Sequence, residues 1–162
     1  MASREMLLAE ERDLIRLVEL RRTNRIARYE PYPKQAEFHA AGKSHRERLF
    51  RAGNQLGKTL AGAAETAYHL TGDYPTWWQG RRWERPIKFW AGSKSGEATR
   101  GGVQRLLMGE PGDPSALGTG FIPRKAIVDK SPARGLADAL DTVTIAHVAG
   151  GHSTLKFKSY EQ

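Results

Sequence analysis

The sequence predicts a mixed α/β domain, on three observations. Residues 48–52, Arg-Leu-Phe-Arg-Ala, read as a short strand leading into a glycine-bearing turn that ends in Gly57-Lys58-Thr59, and a helical pattern follows at once. A second strand is expected over 87–92. Two alternating segments, 142–149 and 154–160, flank Gly150-Gly151. Strand and helix signals thus alternate along 162 residues, enough for one domain of ordinary size.

The elements follow in chain order. Residues 3–28 lack Gly and Pro and are rich in Leu, Glu and Arg, so a helix is expected there. Leu7, Leu14 and Val18 share a face that Glu11 interrupts, and that face is expected to pack on the domain behind it. Pro31 and Pro33 end the segment, which makes 1–30 an N-terminal helical unit. A short helix over 34–41 closes at Gly42, and 48–52 reads as a strand entering the glycine turn. Leu60, Ala64, Ala67 and Tyr68 then fall on one helical face, with Gly72 as the stop.

Residues 87–92 form the next strand. Ser95 is placed to cap a helix over 96–108 that Gly101-Gly102 weaken. Gly and Pro make 109–120 a loop, and 129–141 carry little pattern. The last two strands form a hairpin about Gly150-Gly151.

Composition narrows the function classes. Hydrophobic residues at 39% and charged residues at 27% fit a folded domain. A net charge of +8, with a pI near 10.0, suits a polyanionic partner or simply a solvated basic face. The absence of cysteine excludes disulfides and thiolate metal sites. No two of the five histidines have the i, i+4 spacing of a helical zinc site. No apolar run approaches membrane-spanning length, and acids interrupt the N-terminus too early for a secretory signal, so an intracellular protein with no membrane partner is expected.

Residues 52–59, Ala-Gly-Asn-Gln-Leu-Gly-Lys-Thr, fit the phosphate-binding loop, with Ala52 where the strictest form has glycine. The chemistry requires a strand that delivers the loop and a helix that leaves it, so that the helix N-terminus faces an anion. On this reading Gly53 and Gly57 shape the loop, and the amides from Asn54 through Gln55, Leu56, Gly57, Lys58 and Thr59 to Leu60 cradle phosphates. Lys58 neutralises the outer phosphate oxygens, and the Thr59 hydroxyl ligates Mg²⁺. The competing reading is a glycine-rich strand-to-helix turn with a solvated lysine.

Residues 50–65 (FRAGNQLGKTLAGAAE), 68–80 (YHLTGDYPTWWQG), 85–92 (RPIKFWAG), 97–100 (EATR) and 155–162 (LKFKSYEQ) together resemble the ATPase domain of tailed-phage terminase large subunits. The resemblance covers most of the chain beyond about residue 29, and Trp-Trp-Gln-Gly makes it more specific than a phosphate loop alone. It implies a doubly wound phosphate-loop NTPase sheet of the RecA-like type, here over 31–162 with the N-terminal helix appended. It implies ATP and Mg²⁺ as cofactors and double-stranded DNA as the translocated substrate. Portal protein, the small terminase subunit and a homo-oligomeric ring are the implied partners, in the host cytoplasm.

Tyr32-Pro33-Lys34-Gln35 is similar to the family's adenine-recognition element, with Gln35 on the base edge and Tyr32 stacking. The plain alternative makes Gln35 a surface helix residue and Tyr32 packing. Many such motors carry an arginine inside the loop, where this chain has Asn54 and Gln55. Arg51 is the nearest arginine; it either acts on the γ-phosphate, leaves that role to a neighbouring subunit, or is a salt-bridged strand residue.

The family's hydrolytic carboxylates follow an apolar strand ending in Asp-Glu, and no such run occurs here. Asp138 and Asp141 lack a preceding strand, and Glu161 follows one of the wrong alternation. The sequence is therefore expected to end before the second acidic motif and the nuclease domain, and to hydrolyse ATP poorly by itself. A helicase-like translocase fragment and a nucleotide-binding relic without turnover are the alternative readings. Arg81, Arg82, Arg85 and Lys88, interleaved with Trp77, Trp78, Trp83 and Trp90, read either as a nucleic-acid surface or, preferably, as aromatics anchoring a loop.

Overall fold

The computed structural model describes residues 2–161. Helix α1 spans Ala2–Thr23, a 3-10 turn follows at Arg25–Arg28, and α2 spans Pro33–Ala41 with Pro33 at its first position. Helix α3, Lys58–Thr71, leaves the glycine turn and stops at Gly72, which adopts φ 71°. Strand β1 is Lys88–Ser93. The next helix has three parts: α4, Gly96–Ala98; a π-helical stretch, Thr99–Gln104, holding the Gly101-Gly102 pair; and α5, Arg105–Met108. Ser95 caps it by accepting from the Ala98 amide at 3.2 Å. Strands β2, Ile127–Pro132, β3, Leu140–Ala146, and β4, His152–Ser159, complete the fold.

The four strands form one sheet in the order β1-β4-β3-β2. β1 runs parallel to β4, with Phe89 opposite Leu155, whereas β4–β3 and β3–β2 are antiparallel. The expected hairpin is present, and Gly150 and Gly151 turn it at φ 90° and 75°. Alternation in β4 buries Ser153, Leu155 and Phe157 on one face. Val143 and Ile145 of β3 join them against Ala64, Ala67 and Leu70 of α3 and Leu107 of α5. Trp90, on β1, is 72% exposed. Among the described residues the sheet is mixed, with its apolar alternation directed to one side, and differs in both respects from a doubly wound parallel sheet.

Three expectations are corrected. Residues 48–52 join no strand among the described residues. The segment is fixed by its side chains instead: Phe50 stacks on Phe38 at 4.8 Å, and Arg48 is committed to the Phe38 carbonyl and to Glu65, leaving Leu49 82% exposed. Helix α1 does not lay a face on the domain, because Leu7, Leu14 and Val18 are all exposed. Its apolar residues are spread round the helix rather than gathered into a stripe, so among the described residues its contacts with the body lie toward its C-terminal end, through buried Thr23, the Arg22–Ser115 hydrogen bond and the Glu19–Arg124 ion pair. β2 falls where little pattern was read, because it is an exposed edge strand ending in Pro132 and has no buried face to impose alternation.

Candidate functional site

Helix α3 is the rigid post of the site. From Ala61 to Thr71 all residues except Gly62 are buried, and four of them are alanines that let neighbouring elements approach closely. At its N-terminus the turn 54–57 is exposed, apart from half-buried Gly57. Gln55 and Gly57 take φ 61° and 75°, so the chain reverses within four residues and enters the helix. The amides of Lys58, Thr59 and Leu60 open the helix without an intrahelical acceptor, as the first turn of any α-helix does.

The structure brings Gly53, Lys58 and Thr59 to that opening. The Lys58 ammonium folds back over the turn, donating to the Ala52 carbonyl at 2.8 Å and the Gly53 carbonyl at 2.6 Å. Thr59 is exposed beside it, as is Arg51 on the approach. Asn54, Gln55 and Leu56 carry exposed side chains, Leu56 at 59%. A helix N-terminus, a curled backbone, one ammonium and one hydroxyl make a donor set suited to a phosphate anion. The hydroxyl can supply one oxygen to a hard cation beside that anion.

Beneath the turn lies a polar network that composition and motif did not disclose. Glu65, on α3, is buried and accepts from His39 Nδ1 at 2.7 Å, from His69 Nε2 at 3.3 Å and from both terminal nitrogens of Arg48. Burial pushes the Glu65 carboxyl upward, but the hydrogen bonds from His39, His69 and Arg48, with the arginine's charge, outweigh it and hold the group well below the usual carboxylate range. A carboxylate only accepts, so each histidine presents an N–H to Glu65. The far nitrogens, His39 Nε2 and His69 Nδ1, then face Tyr29 at 3.1 Å and Tyr74 at 2.9 Å. Burial pushes the Tyr74 phenol up to about 12 and Tyr29 higher still, so both remain protonated donors. The one sequence signal was Glu65 and His69 four apart on a helix, a pair that shares a face.

Gln35 and Tyr32 separate. Tyr32 is 68% exposed, whereas Gln35 is 1% exposed. Gln35 Oε1 accepts from the Tyr32 amide at 2.8 Å, and its Nε2 donates to the Gly57 carbonyl at 3.0 Å. Contact with an adenine edge requires the Gln35 amide to leave these partners. The tryptophans also separate. Trp78 is buried among Tyr68, Tyr74 and His39 and donates to the Arg81 carbonyl at 3.0 Å, which is loop anchoring. Of the acids considered, Asp141 accepts from Thr142, and Glu161 pairs with Lys94 at the surface.

Lys43, Arg46, Arg48, Arg81, Arg85 and Lys88, together with Glu65, line an open groove of about 1080 Å³. No helix among the described residues is long and apolar enough to cross a membrane.

A family model described as "Terminase large subunit, T4likevirus-type, N-terminal" matches residues 49–162. The chain is also 35% identical, over 94% of its length, to a protein of Salmonella phage P22 named "Terminase, large subunit". It spans about a third of that relative, 35% of its length. No solved structure matches.

Proposed function

The chain belongs to the terminase large-subunit family, in its N-terminal region, and from that premise we propose that residues 53–60 grip the phosphates of Mg·ATP in a motor that drives double-stranded DNA into a capsid. The observation that carries the reading is the Lys58 ammonium held over a curled turn at the N-terminus of a buried helix. The two carbonyls it contacts are neutral acceptors, and phosphate oxygens exchange for them with a gain in charge pairing.

Each residue then has a role. The amides from Asn54 to Leu60 bind phosphate oxygens, Thr59 contributes its hydroxyl to Mg²⁺, and exposed Tyr32 offers a ring to the base. Arg51 is exposed close to the turn and serves the γ-phosphate of its own site or of a neighbouring subunit in a ring. The basic groove supplies positive field for the DNA backbone. Portal protein and the small terminase subunit complete the assembly in the host cytoplasm.

Thermal unfolding with and without Mg·ATP tests the phosphate grip. Ligand binding to the folded state raises the midpoint by mass action. The wild-type midpoint rises with Mg·ATP and that of Lys58→Ala does not; equal rises in both proteins would exclude this site.

A further inference from the structure

We infer that Gln35 is a positioning residue for the phosphate turn: it fixes the Gly57 carbonyl, and with it the left-handed conformation that aims the α3 N-terminus at phosphate. The inference rests on the phosphate-grip reading and adds a second layer beneath it.

The geometry leaves Gln35 little freedom. Its carbonyl oxygen caps α2 through the Tyr32 amide at 2.8 Å, and its amide nitrogen holds the Gly57 carbonyl at 3.0 Å, so one side chain ties two helix starts together. The contact is close enough that a Cβ on Gly57 would lie 2.5 Å from Gln35 Nε2. Gly57 must therefore be glycine twice over, for its φ of 75° and for the room Gln35 takes.

The same Gly57 carbonyl accepts from Ala61 N at 2.9 Å, so the bond from Gln35 adds a second donor to the first carbonyl of α3. Behind Gln35 the support continues. The Tyr29 hydroxyl has one proton, which His39 Nε2 accepts at 3.1 Å, so its 3.4 Å approach to Gln35 Oε1 is a packing contact, and His39 rests on Glu65. The chain of contacts thus starts on α3 at Glu65, leaves it, and returns to Gly57, which caps the helix start.

A positioning role and a base-reading role separate by ligand. A residue that shapes the turn affects every phosphate ligand alike, whereas a residue that reads adenine affects only the preference for ATP. Binding of Mg·ATP, Mg·GTP and Mg-tripolyphosphate is measured by calorimetry on wild type, Gln35→Ala, Gln35→Glu and Tyr29→Phe. Gln35→Glu keeps the acceptor that caps α2 and loses the donor to Gly57, and because its charge also repels phosphate, the neutral Gln35→Ala decides on turn geometry.

The expected result is that both Gln35 variants weaken all three ligands by a similar factor, about tenfold for a lost buried hydrogen bond. Tyr29→Phe weakens them less and equally. Loss of ATP preference with tripolyphosphate binding intact would overturn the inference in favour of a base contact, and unchanged binding of all three would overturn it outright. If wild type binds no tripolyphosphate, the phosphate-grip reading fails and this inference with it.

Discussion

Glu65 gathers more side-chain hydrogen bonds than any residue in the glycine turn. It receives two imidazoles and a guanidinium from three parts of the chain, and its own helix begins at the turn. Replacing it by Gln leaves Arg48, itself only 21% exposed, without its charge partner. Breaking a buried pair from one side costs about 3–5 kcal/mol. Glu65→Gln is thus expected to lower stability by about 3 kcal/mol in denaturant unfolding, the low end because Arg48 keeps some water.

The pH dependence has a definite sign. The folded carboxyl titrates well below its unfolded value of about 4.3, so its contribution is complete above that pH and is lost as pH falls toward the folded value. The stability gap between wild type and Glu65→Gln therefore narrows from pH 5 to pH 3. A gap that stays constant across that range would contradict the assignment.

At the scale of elements, α1 and α3 are opposites. The apolar side chains of α1 are spread round its circumference and exposed, so its helix rests on propensity rather than burial. Leu14→Ala with Val18→Ala should change stability by less than about 0.5 kcal/mol, whereas Ile26→Ala, at the buried root, should cost about 2–4 kcal/mol. A large loss from the pair on α1 would show that this helix is covered in the folded protein. Helix α3 is buried along nearly its whole length and must stop sharply. Gly72 takes φ 71°, and a Cβ there would lie 2.4 Å from the His147 ring. Gly72→Ala should therefore lower the unfolding midpoint, at a cost above about 1 kcal/mol.

For the whole molecule, legibility followed the range of the forces. α2, α3, β1 and the β3–β4 hairpin were readable because prolines, glycines and periodicity act within a few residues. The 48–52 segment resembles a strand only through its local Leu49-Phe50 pair, while a ladder needs a partner that sequence does not name. β2 was missed for the converse reason: an edge strand with polar residues pairs well without any pattern to announce it. At the site, the turn residues were legible as a motif. The support under them was not, since Glu65, His39, Arg48 and Tyr29 converge from positions up to 36 residues apart in the chain.

The rival to a phosphate grip at the turn is simple charge. Six Lys and Arg side chains, one of them Arg48 paired with Glu65, line the groove, and any polyanion is drawn to them. Backbone amide shifts on titration with Mg-tripolyphosphate tell the two apart, because they report where the anion sits. The account predicts saturable shifts concentrated at residues 53–60 and absent in Lys58→Ala. Shifts concentrated instead at Lys43, Arg46, Arg81 and Arg85, and unaffected by Lys58→Ala, would contradict it.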